Sequence, residues 1–233
     1  LVRDISDTAL WVAHYRAEES ERPDAVFRDP FARVLAGERG AQIARAQPFS
    51  KAHSWSFVAR TYSIDRMIAD EVRAGADVVI NLAAGLDTRP YRMDLPVSLR
   101  WIEMDLGPIL DYKEGILGSA QPACRVERIR VDLADGHARR QALATALERS
   151  RRALVLTEGL LIYLDADQVS GLARDLHDLG AMTWIIDISS PALLKMLRER
   201  GGAMIAAAGA PYKFAPENGP DFFIPLGWKP VEI

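Results

Sequence analysis

The period of the apolar positions changes about a third of the way along the chain. Phe57, Val58, Tyr62, Met67, Ile68 and Val72 recur near helical spacing, which predicts a helix over about 55–73. Residues 7–19 (DTALWVAHYRAEE) read as another helix, with Ser6 or Asp7 as its N-cap. Between them, Arg28 to Phe31 (RDPF) is a proline-punctuated turn. From Asp77 the pattern shortens. DVVINL is a nearly continuous, β-branched run, the signature of a strand covered on both faces. Four more strand signals follow: RWIEMD (100–105), RVERIRVDL (125–133), ALVLTEGL (153–160) and MTWIIDIS (182–189). Helical PILDYKEGIL, GHARRQALATALER and ADQVSGLARDLHDL lie between them. Strands alternating with helices predict an α/β fold, a doubly wound and mostly parallel sheet with right-handed crossovers. No repeat or low-complexity linker divides the chain. One domain is expected, with a helical cap and lead-in helix over 1–75 and an α/β core over 76–233.

Composition narrows the classes. The 233 residues carry 29 Lys+Arg against 32 Asp+Glu, a formal charge of −3, so no basic face for nucleic acid is expected. One cysteine, Cys124, cannot form an internal disulfide, and no Cys/His cluster has zinc spacing, so neither metal nor oxidising compartment is expected. The most apolar stretch, Ala153 to Leu164, is too short to span a bilayer and contains Glu158. The first residues, Leu-Val-Arg-Asp, lack a signal pattern, which suggests a cytoplasmic protein.

On doubly wound sheets ligands lie beyond the carboxyl ends of the strands, so the residues there matter most. The first strand runs into NLAAGLDTRP, which has one glycine, Gly85, where a dinucleotide fingerprint needs three. Asp87 would repel a diphosphate seated at the following helix; it equally suits a cap of the next turn. Asp105 ends the second strand 20 residues beyond Gly85, the spacing of an acid that accepts from both hydroxyls of a ribose. Asp132 and Leu133 end the third strand and suit adenine, the carboxylate for the exocyclic amine and the leucine for the ring; Asp132 equally suits the N-cap of the next helix. Glu158 sits in an apolar run, where a carboxylate is unexpected unless paired or ligand-bound. Tyr163 offers a hydroxyl to a substrate or is a buried aromatic with a satisfied OH.

NLAAGLDTRPYR, WIEMD, VDLAD and TEGLLIYL, in that order, resemble the motifs of the leucine carboxyl methyltransferase family. TALWVAHYRAEE, FRDPFA and Arg60-Thr61 resemble its cap and its RT helix, so the likeness covers nearly the whole chain. Members are class I O-methyltransferases that use S-adenosyl-L-methionine (SAM), release S-adenosyl-L-homocysteine and esterify protein C-terminal carboxylates or polyketide-type acids. The resemblance implies that Arg60 binds the methionine carboxylate of SAM, Gly85 allows close backbone approach and Asp105 holds the ribose. It implies that Asp132 and Leu133 bracket the adenine and that Glu158 faces the methionine end. Tyr163 and Arg16 would lie near the transfer site. Two features depart from the family: Ala83 stands where it usually has glycine, which is expected to be harmless, and the closing antiparallel strand pair is expected to be incomplete, the sequence ending at Ile233.

A hydroxyl acceptor needs a base near neutral pH, usually histidine, and His14, His53, His137 and His177 lie in none of the strand-end motifs. A carboxylate is already ionised and needs none. The expectation is therefore esterification of a small natural-product-like acid of secondary metabolism or of a protein C-terminus. Hydroxyl methylation, a NAD-dependent oxidoreductase and a degenerate SAM-fold binding protein are the alternatives. No nucleic-acid or membrane partner is expected, and the sequence does not fix the oligomeric state. Arg139-Arg140 and Arg149-Arg151-Arg152 are read as solvated helix faces and ends. Gly201 to Ala210 reads as a helix pair near the substrate entrance, and Pro211 to Pro225 as a loop that lines the pocket or packs an edge.

Overall fold

The computed structural model describes residues 6–46 and 52–232. Its centre is one sheet of five strands: β1 (Val78–Leu82), β2 (Arg100–Asp105), β3 (Arg125–Arg130), β4 (Ala153–Thr157) and β5 (Thr183–Ile186). Their order is β3-β2-β1-β4-β5 and every neighbouring pair is parallel. β1 and β4 are buried at every position, as their unbroken apolar runs require, whereas RVERIR of β3 keeps its charges on the sheet edge. Leu82 lies level with Met104 on one side and Thr157 on the other, so three central loops leave the sheet side by side.

Helices cover both faces. Ile80, Leu82, Ile102 and Val155 pack with Leu143 of α6 (Gly136–Leu147) and Leu172 and Leu176 of α7 (Ala166–Asp178). On the other face Val79, Trp101, Leu154 and Leu156 pack with Ile64 and Ile68 of α3 (Ser54–Arg73). Over the strand ends lie α1 (Ser6–Ser20) and α2 (Ala32–Arg45), with Leu10, Leu35 and Ala36 against Ile109 of α5 (Gly107–Leu117). A short turn, α4 (Arg89–Arg92), follows β1, and α8 (Pro191–Leu197) and α9 (Ala203–Ala207) follow β5, joined by a π-helical stretch at Arg198–Gly202. The sequence pattern omits α2. Two glycines in its ARVLAGERG have separate causes: a Cβ at Gly40 would lie 2.5 Å from the Leu10 carbonyl, where the two helices cross, and Gly37 takes φ +54° at a kink within α2.

Several readings shift. Three predicted strands overrun: β3 stops at Arg130, β4 at Thr157 and β5 at Ile186, leaving Asp132, Glu158 and Asp187 in loops. Ser6 and Asp7 both lie inside α1, and Asp7 is paired with Arg39. Arg139 is buried, not solvated: it binds Asp175 at 2.8 Å and the Leu133 carbonyl at 3.0 Å, because α6 and α7 pack against each other there. Arg140, Arg149 and Arg151 are exposed. Phe214 and Phe223 join the core, while Phe223 and Trp228 pack on Trp184 at the β5 edge. Among the described residues no antiparallel strand follows β5; Ile233 lies outside them. No helix among them is long and apolar enough to cross a membrane.

Candidate active site

A cavity of about 740 Å³ opens at the carboxyl ends of the strands, where the strand order reverses between β1 and β4. Arg16, Arg60, Gly85, Asp105, Asp132, Leu133, Glu158 and Tyr163 all line it, although they come from six separate stretches of the chain. The loops after all five strands reach it.

The first loop is held in a tight turn. Gly85 has φ +46°, which favours glycine, and a Cβ there would lie 3.2 Å from the Ala9 Cβ of α1, so a side chain would both strain the turn and push the cap outward by a few tenths of an ångström. Ala83 has φ +55°, the one non-glycine in the left-handed region among the described residues. The expected harmlessness of Ala83 is thus corrected: its methyl group forces an L residue into a conformation that costs roughly 1–2 kcal/mol. The Gly85 N–H donates to Asp105 Oδ2 at 2.7 Å and the Leu106 N–H to Oδ1 at 2.7 Å. Each oxygen keeps a lone pair, and no cation pairs with Asp105 among the described residues. Burial pushes its carboxyl above the ordinary value, against the pull of the two N–H groups.

The floor is a chain of ion pairs. Glu158 accepts from Arg60 Nε at 2.9 Å and from Arg89 Nη1 at 2.8 Å. Arg89 also donates to Asp87 Oδ2 at 2.9 Å and to Asp65 Oδ1 at 2.7 Å, and Arg92 donates to the same Asp65. Arg60 Nη1 donates to Asp187 Oδ2 at 2.9 Å, and the Gly159 N–H to Asp187 Oδ1 at 2.7 Å. Burial would raise the Asp87 and Glu158 carboxyls, but the neighbouring guanidinium charges, Arg89 foremost, hold both below the usual range. Asp87 does not carry the free charge expected to repel a diphosphate. Its Oδ1 accepts the Arg89 N–H at 2.8 Å, capping the turn, and Arg89 and Asn81 meet its Oδ2, so its charge is largely compensated and repels little.

Asp132 is exposed at the rim, where Oδ1 accepts the Ala134 N–H at 2.9 Å; Asp135, not Asp132, caps α6. Leu133 is buried beside it. Arg16 is buried and engaged as a strut, donating to Asp29 at 2.9 Å and to the Leu86 carbonyl at 2.6 Å. Burial, then the neighbouring Tyr212, raises the Tyr163 phenol, which hydrogen-bonds Thr8 and is therefore protonated at neutral pH. Trp11, Phe57, Tyr163 and Tyr212 form the wall opposite the acids, and Trp55 is exposed at the mouth. The sequence reading passed over Asp187, though an acid ending the apolar run TWII is the same signal that marked Glu158. Asp65 gave no signal, since a helix-face acid is ordinary.

The profile of the leucine carboxyl methyltransferase family matches residues 9–177, from the cap through the end of β4 and most of α7. The chain belongs to that family. Two relatives from Frankia alni, both provisionally named S-adenosyl-L-methionine-dependent methyltransferases, are 32% and 36% identical. The first alignment covers 95% of this chain and 82% of the relative, the second 77% and 70%. A Streptomyces avermitilis relative of the same description is 32% identical over 95% of this chain and 80% of its own. Among solved structures, a DUF574 family protein of S. avermitilis superposes with a TM-score of 0.62 at 18% identity, covering 91% of this chain and 80% of that one. That likeness shows the fold. The leucine carboxyl methyltransferase family is S-adenosyl-L-methionine-dependent, and this member is an enzyme of that kind; the nicotinamide reading falls with this assignment. Among the described residues no group of His, Cys, Asp or Glu is placed to hold a metal ion.

Proposed function

We propose that this enzyme transfers the methyl group of SAM to a carboxylate oxygen of a small natural-product-like acid or a peptide C-terminus. The observation that carries the carboxylate is the scarcity of a base. Of the four histidines only His53 lines the cavity, Tyr163 holds its proton, and Asp87 and Glu158 are pinned by arginines. A pre-ionised acceptor needs no proton removed. The residues fit the cofactor: Asp105 is a half-buried carboxylate with spare lone pairs and no paired cation among the described residues, as a vicinal diol wants. Asp132 and Leu133 stand together at the third strand end, a polar acceptor beside an apolar surface, suited to adenine. Arg60 keeps Nη2 without a hydrogen bond among the described residues, suited to a carboxylate.

When bound, SAM supplies a methyl group already activated on a sulfonium. In this reading the chain's own work is placement. Asp105 and Arg60 anchor the two ends of the cofactor, the Gly85 turn brings backbone close, and the aromatic wall orients the acceptor while α1 excludes water. Tyr163 donates or accepts at the acceptor side, and Arg16 holds the cap to the loop. A methyl-labelled product released by mild alkali supports the ester; alkali-stable label refutes it and leaves the methyltransferase intact. The second reading, hydroxyl methylation, rests on His53 at the cavity wall, and His53→Ala abolishing an alkali-stable transfer would establish it.

A further inference from the structure

We propose that Lys213, on the segment after α9, anchors the acceptor by pairing with its reacting carboxylate, while the rings beside it cover an apolar body. The inference rests on the carboxylate reading and deepens it with a residue outside the 9–177 match to the family. The charges lining the cavity are divided. Among the described residues its acids all stand in strand-end loops: Asp87, Asp105, Asp132, Glu158 and Asp187, with Arg60 and Arg89 beside them. The lining residues of 6–57 and 188–213 include the cations Arg16, Arg200 and Lys213 and no acid. Acids on one side and cations on the other suit a cationic donor facing an anionic acceptor.

Of the three cations, Lys213 is the one held in place for a ligand. Arg16 is committed to Asp29 and the Leu86 carbonyl, and Arg200 belongs to the exposed π-helical stretch. Lys213 Nζ makes no hydrogen bond or ion pair among the described residues, yet its backbone is fixed. The Lys213 N–H donates to the Ile162 carbonyl at 2.6 Å and the Phe214 N–H to the same oxygen at 3.2 Å. Arg198 donates to the Tyr212 carbonyl at 2.8 Å, and Phe214 is buried in the core. These bonds set Lys213 next to the Tyr163–Tyr212 ring pair, whose centroids are 5.6 Å apart; Trp11 and Phe57, at 5.8 Å, continue the wall. A peptide backbone laid on such rings would leave amide groups short of partners, which favours an apolar acid over a peptide end. In the transfer a carboxylate oxygen bonds to the methyl carbon as the carbon–sulfur bond breaks, its electron pair staying on sulfur. The acid becomes a neutral ester without any proton moving, and the ester no longer pairs with Lys213, which favours its release.

Titration calorimetry on the enzyme saturated with S-adenosylhomocysteine tests the assignment with three probes: 2-naphthoate, its uncharged carboxamide, and N-acetyl-leucine as a mimic of a peptide end. The unmodified enzyme should bind 2-naphthoate roughly 5- to 30-fold more tightly than the carboxamide, between a surface ion pair and a hydrogen bond to a buried charge. It should bind N-acetyl-leucine more weakly than 2-naphthoate. Lys213→Met, which keeps the stem and the backbone bonds, should bring acid and carboxamide within about threefold by weakening the acid alone, and Lys213→Arg should keep most of the preference. A preference that survives in Lys213→Met, or an equal loss for acid and carboxamide, overturns the proposal. So does tighter binding of N-acetyl-leucine, or failure of 2-naphthoate to bind. Should Lys213→Met not fold, the unmodified enzyme decides alone, since equal affinity for acid and carboxamide refutes the anchor. Alkali-stable label would defeat the carboxylate reading itself, whereas alkali-labile label with an unaltered Lys213→Met defeats only the anchor.

Discussion

Ala83 is the residue where local and functional demands conflict. Its φ of +55° sets an alanine in a conformation suited to glycine, in the loop that leaves β1 for the cavity. Ala83→Gly removes a penalty of roughly 1–2 kcal/mol but adds about 0.5–1 kcal/mol of unfolded-chain entropy. The expected result is an unchanged or higher unfolding midpoint in urea, a gain of about 0–1.5 kcal/mol. Destabilisation beyond that would show that the methyl group contributes packing against the sheet. Asp105 makes a second prediction at this scale. Asp105→Ala should weaken S-adenosylhomocysteine by about 1–3 kcal/mol, the loss when hydroxyls forfeit an ionised acceptor. Because burial raises its carboxyl, the ionised form is lost earlier on acidification than for an exposed aspartate. Wild-type affinity should therefore begin to fall above the ordinary carboxylate range, and a calorimetric series with Asp105→Ala should lack that step.

At the scale of elements, Arg89 ties three of them together: the β1 loop through Asp87, the β4 loop through Glu158 and α3 through Asp65. It is 2% exposed, so Arg89→Met leaves three carboxylates short of their partner and should cost about 3–5 kcal/mol at neutral pH. The depressed Asp87 and Glu158 carboxyls give the wild type a stability that is complete above their unfolded values and lost as pH falls through the folded ones. Without Arg89, the foremost of the cations that lower both, that contribution is smaller, so the gap between variant and wild type in urea unfolding should narrow on acidification. The sequence pattern made the strands and most helices readable because β1 and β4 are buried on both faces and say so in their residues. It missed α2, whose Gly37 bends the helix and whose Gly40 allows a close helix crossing. It overran β3, β4 and β5, because apolar or β-favouring residues continue into loops that face the cavity. In the site, single acids at strand ends could be read one by one. Which guanidinium answers which acid could not, since Arg60 and Glu158 are 98 positions apart and only the fold joins them.

For the whole molecule, two halves of the cavity face each other: an ionic side made by strand ends and an aromatic side made by the cap and the segment after β5. Ligand that binds only the folded enzyme should stabilise it by about 2.7 kcal/mol at a hundredfold excess over Kd. S-adenosylhomocysteine should therefore raise the thermal midpoint by several degrees and NAD should not, as a differential scanning measurement would show.

The strut from Arg16 has an engineering consequence. It grips a main-chain carbonyl of Leu86 and Ala9 abuts Gly85, while Leu10, Leu35 and Ala36 pack on Leu86 and Ile109, so the seam between roof and floor joins one backbone anchor to an apolar patch. The roof is thus a candidate for exchange: the first two helices of a relative that retain the arginine, the small residue and the apolar seam positions should graft onto this sheet, altering the acceptor side of the cavity without rebuilding the strand-end loops.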